Sequence, residues 1–235
     1  VDKRAVSAWD KYFTDSNRAP SGTIVHDSIV PFIKNSRENP GKYFPKKVDI
    51  VTGGFPCQDF SLAGKRKGFS SDKSHLGLKY NSNDYPTSEN RGMLYYWMRE
   101  VIGLTKPKVF IAENVKGLFS LGSVKKVIQE DFSSIDGEDY LVFASLLNAT
   151  KYGVPQLRER VFFIGLRKSA LKVKALRDLQ VKEDQSKFYP FPHETHYIGD
   201  QPKTSSLPAV TSGDVLLDLD EPMSATDLSQ KHYSK

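Results

Sequence analysis

The sequence predicts an α/β protein with a mostly parallel β-sheet that ends in an antiparallel hairpin. Short apolar runs rich in β-branched residues alternate along the chain with stretches whose apolar residues recur at helical spacing. This alternation is typical of a parallel sheet with crossover helices. The last two apolar runs have no helical segment between them, only a loop with Gly153 and Pro155, and therefore predict the hairpin.

The individual elements follow from the same patterns. The predicted strands cover residues 48–52, 109–112, 141–147 and 161–166, and the predicted helices cover residues 94–104 and 124–132. The first helix stops before Pro107, and Ser123 is a candidate N-cap for the second. In open α/β sheets, ligands bind beyond the carboxyl ends of the strands. The polar residues at those ends are therefore the candidates for a functional site.

The composition limits the class of protein. The 235 residues suffice for one large domain, or for one domain and the beginning of another. With 38% hydrophobic and 26% charged residues the chain has the balance of a folded protein, and it shows neither a bilayer-spanning apolar run nor a signal peptide. The net charge of +6 is compatible with a polyanionic partner. A single cysteine excludes internal disulfides and predicts a reducing compartment. The histidines and the cysteine lack the spacing of a zinc site, so no metal is predicted.

Two stretches interrupt the regular pattern. Residues 68–90 are polar and rich in Ser, Asn and Gly, which predicts a long loop or an insertion. Beyond about Lys168 the pattern loosens and prolines recur. We therefore expect a core domain over residues 1–167, followed over residues 168–235 by a linker and the start of another region.

The one cysteine follows the first predicted strand directly. Gly53, Gly54 and Pro56 place Cys57 on a tight turn at the carboxyl end of that strand. Such a turn can present a thiol to a cleft, where its ionised form would act as a nucleophile. A lone cysteine can also be a small buried hydrophobic residue, so this segment by itself leaves both interpretations open.

Two further polar segments adjoin predicted strands. The segment ENV, with Glu113 and Asn114, follows the second strand, and the segment QLRER, with Gln156, Arg158 and Arg160, leads into the last. A carboxyl group beside a reactive thiol can hydrogen-bond a substrate and move protons, and an arginine pair can bind phosphate or base oxygens. The alternatives are a capping or surface carboxylate and a solvated charge cluster.

The order of these segments resembles the core motifs of DNA (cytosine-5)-methyltransferases. Four segments carry the resemblance, in this order: GGFPCQDFSLAGKRKGF, RGMLYYWMREVI, KPKVFIAENVKGL and LNATKYGVPQLRERVFFIGLR. The similarity extends, with gaps, from Val1 to about Arg167. It implies a Rossmann-like, S-adenosylmethionine-dependent methyltransferase fold, with residues 1–167 as its catalytic core. It makes residues 168–235 the linker and the start of the target-recognition region.

The resemblance assigns a covalent mechanism to these residues. Cys57 would add to C6 of cytosine, so that C5 can accept a methyl group. Glu113 would hold N3 and N4 of the base, Arg160 would contact O2, and Arg158 would support the glutamate or the backbone. The motif residues with a structural role would be Pro56, Asn114 and Gln156.

Double-stranded DNA is the partner that the resemblance implies. The target base must leave the helical stack to reach the thiol. The family closes a loop over the flipped base, here residues 61–69, and the lysines and arginine of this loop are expected to contact phosphates. The candidate DNA contacts are Gln58, Ser61, Lys65, Arg66 and Lys67. No membrane contact is expected.

The implied cofactor is S-adenosylmethionine, with S-adenosylhomocysteine as product and no metal. Candidate cofactor residues are Val1, Asp27, Phe55 and Leu94. The family's first strand and glycine-rich turn are not found before Val1, nor its recognition domain and last two motifs before Lys235. We therefore expect a fragment, or one subunit of a split enzyme whose second chain carries the recognition domain. By itself this piece would be poorly active or inactive.

Three functions remain open at this stage. The first is a bacterial, cytoplasmic methylase of a restriction-modification system. The second is a tRNA cytosine-5 methyltransferase, because a relative of the DNA enzymes uses the same motifs. The third is a non-catalytic partner that retains the fold. The basic loop favours DNA over tRNA, and the complete set of Cys57, Glu113, Arg158 and Arg160 favours an enzyme.

Overall fold

The computed structural model of the chain describes residues 3–15, 24–25, 27–39, 41–55, 95–118, 124–182, 185–199 and 206–216. They fall into two compact units. The first unit comprises residues 1–146 and 161–190, and the second comprises residues 147–160 and 191–235. No helix in the described ranges combines the length and apolar character needed to cross a membrane.

A five-stranded mixed sheet organises the chain, in the spatial order β1-β2-β5-β4-β3. Its strands are β1 (Ile50–Gly54), β2 (Val109–Val115), β3 (Ser134–Ile135), β4 (Glu138–Asn148) and β5 (Glu159–Arg167). Strands β1 and β2 pair in parallel, whereas β3 and β4 pair antiparallel. The predicted α/β fold is therefore confirmed, with parallel strands at one end of the sheet and antiparallel strands at the other.

Turn chemistry fixes the β3–β4 hairpin. Its two central residues, Asp136 and Gly137, have φ angles of 48° and 81°. Two consecutive positive φ angles define the type I′ turn, whose twist matches that of paired strands and which Asp-Gly favours. The succeeding strands β4 and β5 are neighbours, and the Ala149 N–H donates to the Arg158 carbonyl at 2.9 Å across the connection between them.

Five α-helices accompany the sheet in the described part of the first unit: α1 (Lys3–Asp15), α2 (Ile29–Glu38), α3 (Tyr95–Thr105), α4 (Val124–Ser133) and α5 (Val173–Lys182). Helix α2 begins at the N-cap Ser28, whose hydroxyl accepts the Val30 N–H. It packs on α3, where Arg37 forms an ion pair with the buried carboxylate of Glu100.

Aromatic side chains form the centre of the core. Phe110, Phe132, Tyr140 and Phe163 are almost fully buried, and their rings meet at tilted or edge-on angles. Burying one side chain of this size contributes roughly 1.5–3 kcal/mol. Gly165 makes room for this packing, because a Cβ atom there would lie 1.9 Å from Phe110.

The second unit contains short elements. Strands β6 (His196–Tyr197) and β7 (Leu207–Pro208) pair in parallel, and helix α6 spans Ser212–Leu216. A 3-10 helix, Ala149–Tyr152, ends at Gly153 with φ of 80°. The Thr195 N–H donates to the Lys151 carbonyl at 3.0 Å, which ties β6 to this 3-10 helix.

Several predicted boundaries were wrong. Strand β1 includes Gly53 and Gly54, which were expected to follow it, and β2 continues through Glu113 and Asn114 to Val115. Strand β5 begins at Glu159, so Arg160 lies in the strand and not before it. Helices α1, α2 and α5 were not predicted. The Ser123 cap and the loop over residues 68–90 lie outside the described residues.

Candidate active site

At the carboxyl ends of β1 and β2, the predicted catalytic residue Glu113 lies next to Gly54. Gly54 and Glu113 are register partners in the parallel ladder, and the Glu113 side chain is half-buried. A Cβ atom added at Gly54 would lie 3.3 Å from Oε2 of Glu113. The absence of a side chain at residue 54 therefore leaves room for the Glu113 carboxylate.

Asn114 fixes the main chain at this edge of the sheet. Its side chain is buried, with 1% of its surface exposed. The Nδ2 atom donates to the Phe55 carbonyl at 3.2 Å, and Oδ1 accepts the Val115 N–H at 2.8 Å. A buried amide is retained where such bonds satisfy it, so Asn114 joins the end of β1 to β2.

The Phe55 side chain is held in the core from the other side. It is buried, and its ring lies 6.2 Å from that of Tyr95 on helix α3. The Tyr95 hydroxyl donates to the Asp131 carboxylate. Burial raises the pKa of Tyr95 above its usual value, and this hydrogen bond acts in the same direction. The residue two positions before Cys57 is thus anchored through both its carbonyl and its ring.

A cavity of about 230 Å³ opens beside these residues. Strand β1, the beginning of α2 and one face of α3 form its walls, through Ile29, Val51, Thr52, Gly53, Gly54, Phe55, Trp97, Met98 and Val101. The Trp97 side chain is buried, and its indole Nε1–H has no hydrogen-bond partner among the residues that the structure describes. An apolar cavity with few polar groups is the usual form of a small-molecule site.

Of the predicted cofactor residues, Phe55 lines this cavity. Asp27 does not line it, but it stands two residues before the lining residue Ile29. The Asp27 Oδ1 accepts the N–H of Ser28 at 2.7 Å at the beginning of α2. Its role in binding a cofactor stays a prediction.

The QLRER segment forms a hydrogen-bonded turn in the second unit. The Thr150 hydroxyl donates to the Gln156 carbonyl at 2.9 Å, and the Arg158 N–H donates to the same carbonyl at 2.9 Å. Arg158 is exposed, whereas Arg160 is half-buried and donates from its guanidinium to the Glu159 carbonyl at 2.8 Å. That Arg160 and Glu113 contact one base remains a prediction.

The remaining predicted site residues lie outside the described ranges: Val1, Pro56, Cys57, Gln58, Ser61, Lys65, Arg66, Lys67 and Leu94.

Sequence reasoning missed most of the cavity wall. Trp97, Met98 and Val101 follow Leu94 by three, four and seven residues. Residues at this spacing share one face of a helix. Had the cofactor role predicted for Leu94 been applied to the other residues on the same helical face, all three would have been identified.

The family of the chain follows from comparison with known proteins. The family model for C-5 cytosine-specific DNA methylase matches residues 9–82 and 84–234. The chain belongs to this family. Membership agrees with the motif-based resemblance and with the methyltransferase fold predicted from it.

Several curated proteins resemble this C-5 cytosine methylase chain. Type II methyltransferase M.HpaII of Haemophilus parainfluenzae is 33% identical over 169 residues, covering 69% of this chain and 39% of the relative. M.Sau96I of Staphylococcus aureus is 32% identical over 180 residues, covering 73% and 36%. M.BsuRI of Bacillus subtilis is 42% identical over 130 residues, covering 54% and 24%. The chain spans less than half the length of each of these relatives.

Solved structures match the methylase chain at lower similarity. One is an Escherichia coli protein described as a prophage-encoded DNA modification methyltransferase, with a TM-score of 0.44 and 22% identity over 84% of this chain and 42% of that chain. Another is a mutant of Spodoptera frugiperda DNMT2, with a TM-score of 0.40 and 17% identity over 88% and 48%.

Proposed function

We propose that this chain carries the catalytic residues of a DNA (cytosine-5)-methyltransferase that serves a bacterial restriction-modification system. The observation that carries the proposal is the position of Glu113. Its carboxylate adjoins Gly54, and Gly54 precedes Cys57 by three residues in the sequence. Family membership and the type II methyltransferases among its relatives support DNA as the substrate.

Chain length supports the pairing of Cys57 with Glu113. The Phe55 carbonyl is held by Asn114, the residue next to Glu113. Cys57 follows Phe55 by two residues, and two residues of extended chain span at most about 7 Å. We therefore infer that the thiol and the Glu113 carboxylate serve the same bound base.

The proposed chemistry divides a difficult substitution into easier steps. Cytosine C5 is a poor nucleophile, whereas C6 is a mild electrophile. Addition of the Cys57 thiolate to C6 makes C5 enamine-like and able to attack a methyl donor. Loss of the C5 proton and of the thiolate then restores the aromatic ring and leaves 5-methylcytosine.

Glu113 and the two arginines would act on the base without forming covalent bonds. The Glu113 carboxyl group would hold N3 and N4 and favour the protonated ring, which is more electrophilic at C6. Arg160 would donate hydrogen bonds to O2 as negative charge develops there. Arg158 would support Glu113 or the DNA backbone.

The cavity beside β1 suits the adenosine part of S-adenosylmethionine. Its walls are largely apolar and include the ring of Phe55 and the side chain of Trp97, which suits contact with the face of a purine. When bound, S-adenosylmethionine supplies an electrophilic methyl group. The residues that would hold it are those of the cavity wall together with Asp27, Leu94 and Val1.

Trapping with a mechanism-based substrate tests the proposal. In the presence of S-adenosylmethionine, duplexes with 5-fluorocytosine in place of every cytosine should form a stable covalent adduct with the protein expressed from its gene. After methyl transfer, C5 carries fluorine and has no proton to lose, so the thiolate is not released. Cys57→Ala should abolish the adduct, and Glu113→Gln, which keeps the side-chain volume, should slow its formation about 100-fold or more.

Two results would contradict the proposal. An adduct that persists in Cys57→Ala would assign the nucleophile to another residue. An adduct with 5-fluorocytosine-containing tRNA but none with DNA would assign the chain to RNA methylation. Unmodified duplexes that give no adduct serve as the control for non-specific cross-linking.

A further inference from the structure

A second cavity lies at the opposite end of the strands from Glu113. Its volume is about 320 Å³, and its walls are residues 46–49, 104–106, Lys108 and Arg167. Five of these residues are cationic and one is anionic: Lys46, Lys47, Lys106, Lys108, Arg167 and Asp49. We call this feature the basic pocket. Its walls carry four more positive than negative charges.

The fold assembles the basic pocket from three separate parts of the sequence. Residues 46–49 precede β1, Lys106 and Lys108 precede β2, and Arg167 ends β5. Main-chain bonds hold these parts together. The Lys108 N–H donates to the Asp49 carbonyl at 2.9 Å, and the Arg167 N–H donates to the Lys108 carbonyl at 2.9 Å. The positive charges therefore converge because hydrogen bonds of the sheet hold these three segments side by side.

Lys106 is held in an unfavourable backbone conformation at this pocket. Its φ angle is +44°, directly after the last residue of α3. Glycine or asparagine is the usual residue where a helix ends in this conformation. The negative end of the helix dipole favours a cation at Lys106. The dipole does not explain why Lys46 and Lys47, which precede β1, lie in the same wall. Lys106 therefore places a cation in the pocket wall at a position that glycine or asparagine would usually occupy.

Carboxylates compensate part of this positive charge: Asp49 pairs with Lys108, and Glu138, from outside the wall, pairs with Arg167. The other cations of the wall are Lys46, Lys47 and Lys106. Asp49 accepts from Lys108 Nζ at 2.7 Å, and this hydrogen bond is the main reason that the pKa of Asp49 lies below its usual value. Arg167 donates from its guanidinium to the Lys106 carbonyl at 2.6 Å, and its Nε lies 4.0 Å from Oε2 of Glu138. The four lysine side chains are exposed to solvent.

We propose that the basic pocket is a second contact for the phosphate backbone of duplex DNA, independent of base sequence. The proposal depends on the proposed function only for the choice of DNA as the polyanion. Lys108, directly before β2, and Glu113, on β2, are five residues apart, about 16 Å along extended chain. The pocket would therefore hold a different stretch of DNA from the one that presents the target base. Such a contact prolongs residence on non-specific DNA while the protein searches for its target.

Salt-dependent binding tests this proposal without any catalysis. The protein carries Cys57→Ala throughout, so the result does not depend on whether methyl transfer occurs. The test variant combines Lys46→Gln, Lys47→Gln and Lys106→Gln, which leaves the Lys108–Asp49 ion pair intact. The control variant makes the same change at three exposed lysines on α1 and α2: Lys3, Lys11 and Lys34.

The affinity for a duplex of arbitrary sequence is measured from low to moderate salt concentration. Each lost phosphate contact should reduce the slope of log K against log salt by about 0.9, so the test variant should lose about 2–3 units of slope and the control less than 1. Lys106→Gly, which also relieves the backbone, should weaken DNA binding while raising the melting temperature.

Two outcomes would overturn the proposal. Equal slopes for the test and control variants would show that the pocket does not contact DNA. Inorganic phosphate, added at constant ionic strength, should compete no better than chloride. If it removes the difference between the parent Cys57→Ala protein and the test variant, the pocket is a small-anion site. Circular dichroism spectra that match wild type verify that each variant is folded.

Discussion

Asn114 should couple the stability of the fold to the reactivity of the site. Replacement by alanine removes two hydrogen bonds, one to the Phe55 carbonyl at 3.2 Å and one from the Val115 N–H at 2.8 Å. A single hydrogen bond contributes about 0.5–1.5 kcal/mol net, and a buried partner left unsatisfied costs about 1–3 kcal/mol. We therefore expect Asn114→Ala to lower the free energy of unfolding by about 2–3 kcal/mol. It should also slow adduct formation, because the chain that leads to Cys57 loses its anchor.

Asn114→Asp distinguishes the contributions of the two hydrogen bonds, because it removes only one of them. This variant keeps the side-chain size and the oxygen that accepts the Val115 N–H, but an ionised carboxylate has no hydrogen to donate to the Phe55 carbonyl. Its loss of stability should be largest near neutral pH and should shrink in acid, where a protonated carboxyl group regains a donor. Urea unfolding at several pH values measures stability, and the trapping rate with 5-fluorocytosine DNA measures the site. A loss below 0.5 kcal/mol for Asn114→Ala, with a trapping rate within about twofold of wild type, would refute this reasoning.

Three further predictions follow from other contacts. Gly54→Ala should displace the Glu113 carboxylate by a few tenths of an ångström and slow trapping about tenfold with little loss of stability; an unchanged rate would mean that the carboxylate position is not critical. Trp97→Leu, which removes aromatic surface from the cavity wall, should weaken S-adenosylmethionine binding about 3–10-fold in calorimetry, and equal affinity would show that the cofactor does not use this cavity. Burial raises the pKa of Tyr140 to about 12, so stability should be constant below about pH 10 and decrease as pH rises towards 12, where the unfolded chain releases the proton first. Urea unfolding should show a shallower decrease in Tyr140→Phe, and an identical pH profile would contradict the assignment.

The sequence predicted the sheet well where apolar pattern alone determines structure. Both parallel strands and helix α3 appear within two residues of the expected starts, because their apolar residues form the core. The extension of β2 through Glu113 and Asn114 was missed, since neither residue favours strands. Pairing with Gly54 and the bond from Asn114 to the Phe55 carbonyl override that preference, and both depend on residues more than fifty positions away.

The candidate site was predictable as a set of motifs and not as a geometry. Cys57, Glu113 and Arg160 stand out because their residue types suit covalent chemistry on a pyrimidine. Their mutual arrangement stays a prediction. The basic pocket had no local signal, because Lys106 and Arg167 are sixty-one positions apart in sequence and meet only through the pairing of β2 with β5.

The packing of Phe55 against Tyr95 has a consequence for how this family can diversify. These two residues flank the segment of residues 56–94, and their rings are 6.2 Å apart. An excursion whose two ends already meet can change in length cheaply, since each doubling of a loop costs only about 0.6 kcal/mol in closure entropy. Evolution can therefore lengthen or shorten the segment between Phe55 and Tyr95 while the ladder between β1 and β2 keeps its register.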